Sequence, residues 1–205
     1  MKTLILVDLQ NDFLPGGALA VPDGDAVIPV VNRLQPHFDY VVATQDWHPP
    51  DHGSFASSHP GREPFETGQL AGRPQTLWPE HCVQHTDGAR FAPGLDTQRI
   101  AQVFTKGHDP SVDSYSGFHD NEREFSTGLA DWLRQHSVNS VWIAGLATDY
   151  CVKATALDAL HEGFQTHLIV DACRGIDQPP GHVAATLAEL EAAGVKLVHS
   201  QDLLP

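Results

Sequence analysis

The sequence predicts an α/β fold: a single three-layer α/β/α domain on a six-stranded, mainly parallel sheet. Two observations carry that expectation. Short β-branched and apolar runs recur as TLILVDL (3–9), YVVATQD (40–46), QVFTKG (102–107), VNSVWIAGL (138–146), THLIVDA (166–172) and VKLVHS (195–200). They are continuous rather than alternating, as strands buried on both faces are. Helical patterns separate most of them, and such alternation implies parallel pairing with helices on both faces. At 205 residues the chain has the length of one domain, 1–205, with a substantial core.

In chain order, Val27, Val30, Val31 and Leu34 follow helical spacing after PDGD, with Pro29 in the first turn, where no intrahelical N–H bond is lost. From Trp47 to about Ile100 the chain runs through Gly, Pro, His and Ser with no clear strand or helix. So long an irregular stretch, about 47–100, is expected to serve the active site. Ser126 is the expected N-cap of a helix carrying Leu129, Trp132 and Leu133. Thr148 caps the next, with Val152, Ala156, Ala159 and Leu160 on one face and Gly163 as its stop. Pro180 opens a last helix with Val183, Leu187 and Leu190 that ends at Gly194.

Charge narrows the function. Asp and Glu number 26 against 12 Lys and Arg, for a formal charge of −14, a field that repels phosphate backbones and anionic membrane surfaces. No nucleic-acid or membrane partner is expected. The opening MKTLILVDLQ has an apolar run, but Asp8 interrupts it before it reaches the length of a signal segment. Three cysteines without disulfide-framework spacing fit a reducing cytoplasm.

In an open α/β sheet, ligands bind beyond the carboxyl ends of the strands. The first strand ends at Asp8, the second at Asp46 and the third at Lys106; the fourth runs into GLATDYC, with Cys151 in the first turn of a helix. Each residue alone has an ordinary reading as a turn Asp, a solvated Lys or a small buried Cys. Together they make a cysteine-hydrolase site. The helix macrodipole and a neighbouring Lys would lower the thiol pKa below about 8.5, and an Asp in reach would take the thiol proton and return it to a leaving amine.

The stretch TQDWHPPDHGSFA (44–56) holds Asp46, His48 and His52. If the chain stays extended, Asp46 and His48 project to one side and Trp47 to the other. Pro49 disfavours helix at His48, and Pro49, Pro50 and Asp51 are expected to turn His52 back towards the first two. His81 in LWPEHCVQ is a fourth candidate. Three His and one Asp suit a divalent ion such as Zn²⁺, Fe²⁺ or Mn²⁺. Spacing alone leaves a metal site and a polar surface loop both open.

Six segments in order, LILVDLQNDFLPGGAL, TQDWHPPDHGSFAS, LWPEHCVQ, FTKG, SYSGF and GLATDYCVKATALDA, together resemble the nicotinamidases of the isochorismatase-like cysteine hydrolase superfamily. The resemblance implies a triad of Asp8, Lys106 and Cys151 and one divalent metal ion, Zn²⁺ first and Fe²⁺ or Mn²⁺ as alternatives, on Asp46, His48, His52 and His81. It implies a cis peptide between Leu146 and Ala147, an oxyanion hole from the N–H groups of Ala147 and Cys151, and an aromatic substrate pocket of Phe13, Trp78 and Tyr115. The implied activity is hydrolysis of the small molecule nicotinamide to nicotinate and ammonia through a cysteine thioester, in NAD salvage. A sibling cysteine amidase acting on another small amide or ureide is the alternative. Relatives are often oligomeric, so a homo-oligomer is one expected state.

Overall fold

The computed structural model describes residues 1–204. The elements run β1 (Lys2–Val7), α1 (Val27–Leu34), β2 (Tyr40–Asp46), β3 (Thr67–Leu70), β4 (Arg73–Thr76), β5 (Ile100–Lys106), α2 (Leu129–Gln135), β6 (Ser140–Leu146), α3 (Lys153–His161), β7 (Gln165–Arg174), α4 (His182–Ala193) and β8 (Lys196–Val198). Among the described residues, six of the strands form one sheet in the order β5-β2-β1-β6-β7-β8, and every neighbouring pair in it is parallel.

Why the central strands read as continuous apolar runs is visible in β1. Leu4 and Leu6 join a core with Val27, Val31 and Leu34 of α1, while Ile5 and Val7 point to the other face, among residues of α2, α3 and α4. A period of two with apolar residues on both faces leaves no polar position. The faces are covered differently. One carries α2, α3 and α4, whereas the other has α1 supplemented by non-helical residues such as Leu19, Val21, Trp78, Cys82, Ala92 and Leu95. The long connection after β2 is therefore part of a core layer.

That connection also contains structure that its composition hid. Thr67–Leu70 and Arg73–Thr76 pair as an antiparallel hairpin apart from the main sheet. Its strands are short, Gly68 and Pro74 lie within them, and Thr67 and Thr76 are their only β-branched residues, so the usual strand signature is weak. Three helix starts also differ from expectation. The last helix, α4, begins at His182 behind a left-handed Gly181 rather than at Pro180. The α2 N-cap is Gly128 in the left-handed conformation; Ser126 lies two residues earlier, where its hydroxyl accepts the Gly128 N–H at 3.2 Å. Thr148 opens a π-helical turn over Thr148–Val152 rather than capping an α-helix, with no side-chain cap bond, and α3 follows it.

The strand order reverses direction at β1, whose neighbours are β2 and β6, and this switch point opens a crevice at the carboxyl ends. Gly145 lies opposite Val7 there. It has a φ of 133°, and an added Cβ would stand 2.1 Å from the Val7 carbonyl oxygen. Gly145→Ala is therefore expected to destabilise the fold by about 3 kcal/mol or more through backbone strain and overpacking, which urea denaturation would measure; a loss below about 1 kcal/mol would show that the two strands can separate locally.

Candidate active site

Three neighbouring strands present their terminal residues to one point. Parallel register sets Asp46 of β2 directly beside Lys106 of β5. Asp8 follows β1, one residue past its observed end, in the left-handed region with a φ of 50°. Its carboxylate is held by the Thr44 hydroxyl at 2.6 Å. Cys151 comes from beyond β6, in the π-helical turn. Asp8 and Lys106 are wholly buried and Cys151 nearly so.

Lys106 joins these groups. Its Nζ lies 3.0 Å from Asp8 Oδ2, pairs with Asp46 Oδ1, donates to the Ser114 carbonyl at 3.0 Å and approaches Cys151 Sγ at 3.5 Å. Burial opposes the Lys106 charge, but the two carboxylates outweigh it and hold the ammonium well above its ordinary pKa. Asp46 is pushed up by burial and pulled down further by Lys106 and His48, so it remains a carboxylate. Asp8 is raised, because burial and the Asp46 charge together exceed the pull of Lys106.

The thiol corrects one expectation. Burial pushes Cys151 well above its ordinary pKa, and although Lys106 lowers it, Asp8 and Asp46 raise it again. The dipole of a helical turn does not outweigh two buried carboxylates and the loss of solvent. The resting group is a thiol and needs a base at the moment of attack.

Beside this cluster, Asp46 Oδ2 lies 3.5 Å from His48 Nε2 and 3.7 Å from His81 Nε2. As expected, Trp47 turns away, with its ring 5.2 Å from that of His85. The Pro49 carbonyl accepts the His52 N–H at 3.1 Å, a turn that returns the His52 ring to 4.4 Å from that of His48. His81 is brought in because the two segments pair: the His48 N–H donates to the Cys82 carbonyl at 3.0 Å, and the Cys82 N–H donates to Asp12 Oδ2 at 2.7 Å.

These residues fit a divalent ion. The Nδ1 atoms of His48, His81 and His52 are engaged by the Gly107 carbonyl (3.1 Å), the Pro79 carbonyl (2.8 Å) and the Ser54 hydroxyl (2.7 Å), the outer contacts that orient metal-binding imidazoles. Asp46, His48 and His81 offer ligand atoms within 4.8 Å of one another. His52 stands outside this tightest set, but its Nε2 is buried without a hydrogen-bond partner among the described residues. Burial and the neighbouring His48 lower the His52 pKa to about 4, so it is a neutral donor. At His48, burial is outweighed by Asp46 and the pKa rises; this point favours positive charge.

A cavity joins the two centres. It is lined by Cys151, Ala147, Asp46, His81, Phe13, Trp78 and Tyr115, the expected residues, and also by Leu19, Asp113, Tyr150 and Ile176. The Leu146–Ala147 peptide is cis. The Ala147 carbonyl accepts the N–H groups of Tyr150 and Val152, each at 3.1 Å, wrapping the turn around Cys151. Sequence patterns did not single out Gln10, whose side chain bonds the Asp46 N–H and C=O, each at 2.8 Å. Thr44 was detectable only as the residue two before Asp46 on the same strand face.

Lys106→Met would leave Asp8 and Asp46 adjacent, buried and without a cation. The expected loss of stability is about 3–5 kcal/mol, read by chemical denaturation, and Lys106→Arg should not restore it because the planar guanidinium does not fit a fully enclosed ammonium site. Wild-type stability in Lys106→Met would show that the carboxylates find other compensation.

Comparison with known proteins agrees with this geometry. The family described as Isochorismatase domain matches residues 2–202. A nicotinamidase of Escherichia coli (strain K12) is 54% identical over 200 residues, covering 96% of this chain and 93% of that one. The solved Acinetobacter baumanii nicotinamidase and pyrazinamidase superposes with a TM-score of 0.96 at 45% identity, over 99% of this chain and 98% of the other. The pyrazinamidase of Pyrococcus horikoshii in complex with zinc gives a TM-score of 0.80 at 42% identity, over 97% and 98% of the two chains. With its strand-end cluster, its switch-point crevice and a family match spanning nearly the whole sheet, the chain belongs to the isochorismatase-domain family.

Proposed function

We propose that this protein is a nicotinamidase, hydrolysing nicotinamide to nicotinate and ammonia through a thioester at Cys151, a step in pyridine nucleotide salvage. The observation that carries the reading is one aromatic cavity bordered by the buried Asp8, Lys106 and Cys151 cluster and by the Asp46 and His81 end of the histidine group. The relatives at 54% and 45% identity bear the corresponding names.

The substrate ring packs among Phe13, Trp78 and Tyr115, with its carboxamide towards Cys151. Asp46, His48, His52 and His81 would hold one divalent ion, Zn²⁺ before Fe²⁺ or Mn²⁺, which supplies Lewis acidity for a ring nitrogen and positive charge beside the site. Asp8 takes the proton of the Cys151 thiol as sulfur attacks the amide carbon, and Lys106 stabilises the thiolate as charge moves. The backbone N–H groups of Ala147 and Cys151 receive the oxyanion; losing one such donor costs roughly a hundredfold to a thousandfold in rate. Asp8 then returns the proton to the amide nitrogen, the C–N bond breaks and ammonia leaves. In the second half, Asp8 takes a proton from water, the hydroxide adds to the thioester, the C–S bond breaks, and Asp8 reprotonates the departing sulfur. A raised Asp8 pKa suits this shuttling, since its affinity for the proton lies closer to the groups it serves.

Two outcomes follow. Purified protein releases ammonia from nicotinamide, and Cys151→Ala lowers that release by at least about 10⁴-fold while keeping its fold and metal content; substantial residual turnover would exclude the covalent route. Removing divalent ions with a chelator is expected to cut activity and adding Zn²⁺, Fe²⁺ or Mn²⁺ to restore it. Full activity in a preparation shown metal-free by elemental analysis would exclude the metal role.

A further inference from the structure

The reaction as derived makes no use of the β3–β4 hairpin, which pairs only with itself as a two-stranded sheet. Yet Gln75 on β4 is buried, at 8% exposure. Its Nε2 donates to Asp113 Oδ2 at 2.7 Å, lies 2.7 Å from the Thr76 carbonyl and lies 3.3 Å from the Tyr115 hydroxyl. The Trp78 indole N–H donates to the same hydroxyl at 3.2 Å. Asp113 Oδ1 accepts the Ser114 N–H at 2.8 Å, and the Ser114 carbonyl accepts from Lys106. One amide thus ties the hairpin to two walls of the aromatic cavity.

Asp113 faces two spaces. It lines the aromatic cavity and, together with Gln75, a polar cavity of about 210 Å³. Asp113 is thus shared by the two cavities, and the Gln75 amide bonds it from the polar one. Other anchors of the hairpin are less directional. Leu70 packs on Gly53, where an added Cβ would stand 2.5 Å from a Leu70 methyl, and Arg73 pairs with Glu122 at 2.7 Å with its own side chain well exposed, a setting in which solvent weakens the attraction.

We propose that Gln75 is a positioning residue for ring binding: its amide holds Asp113 and Tyr115 from the hairpin side. The identity of the ring rests on the nicotinamidase reading. Gln75 does not touch Asp8, Lys106 or Cys151, so its loss weakens ground state and transition state alike, raising KM and leaving kcat. The buried Asp113 carboxylate left short of a donor is the larger cost, since unsatisfied buried acceptors are more expensive than the bond itself.

The test compares Gln75→Ala and Gln75→Met, which keeps much of the length but has no donor, with wild type and with Arg73→Ala. The KM for nicotinamide is expected to rise roughly tenfold in both Gln75 variants, with kcat within about twofold, and to stay unchanged in Arg73→Ala. Hairpin amides over 67–76 should exchange faster with deuterium in Gln75→Ala, while β1 and β6 keep wild-type protection. A wild-type KM in Gln75→Met would overturn the donor role, unaltered hairpin exchange in Gln75→Ala would overturn the tie, and a fall in kcat at constant KM would overturn the positioning role. Deuterium exchange requires no turnover. Wild-type protein that failed to cleave nicotinamide would therefore refute the proposed function, while the exchange comparison still decided whether Gln75 holds the hairpin.

Discussion

A single buried ammonium organises this protein. Lys106 is wholly enclosed and contacts Asp8, Asp46, the Ser114 carbonyl and the Cys151 sulfur. A lone buried charge is not tolerated, so the fold must bring carboxylates to it, and parallel register does so by seating Asp46 beside it and Asp8 one strand further on. The two carboxylates differ in role because their second oxygens differ in company. Asp46 turns its other oxygen to His48 and His81 and is held ionised, whereas Asp8 turns its other oxygen to the neutral Thr44 hydroxyl and has a raised pKa. Environment divides a fixed carboxylate from a proton carrier.

The asymmetry of the layers follows from the same centre. On the face where α2, α3 and α4 pack, regular helices bury the sheet. On the other, α1 leaves room that irregular segments fill with Phe13, Leu19, Trp78 and Cys82, and these same segments carry His81 and the aromatic wall. Backbone polar groups here are satisfied by side chains from segments distant in sequence, as in the Asp12 bond to the Cys82 N–H of the loop and the Gln10 bonds to Asp46 at the strand end before it. A non-helical layer is stable only with such specific partners. It is also what allows an indole, a phenol and an imidazole to converge on one cavity.

Much of this was legible in the sequence because it depends on local periodicity. Continuous apolar runs announced strands buried on both faces, and the strand-end rule singled out Asp8, Asp46, Lys106 and Cys151 from residues that each had an ordinary reading. The alternation DWH placed Asp46 and His48 on one side, and the Pro49 turn returned His52, as extended geometry and proline chemistry require. Local pattern was silent where a residue acts through a distant partner. Gln10 and Gln75 carry no periodic signal, and the hairpin of β3 and β4 has only Thr67 and Thr76 as β-branched residues, beside Gly68 and Pro74. The Ser126 and Thr148 caps failed because the chain enters α2 through a left-handed glycine and α3 through a π turn.

By itself, then, the sequence determined the α/β class, the strands that bear the reactive groups and the residue types that suit a thiol hydrolase and a divalent ion. Motif resemblance pointed to the family. Only the tertiary structure decided that Lys106 is enclosed rather than solvated, that the Cys151 thiol is raised rather than lowered in pKa, and that Tyr150, Ile176 and Asp113 complete the cavity. The physical reason is common to these cases. Desolvation and charge coupling depend on which groups meet in space, and no residue's spacing along the chain encodes how much water its neighbours exclude.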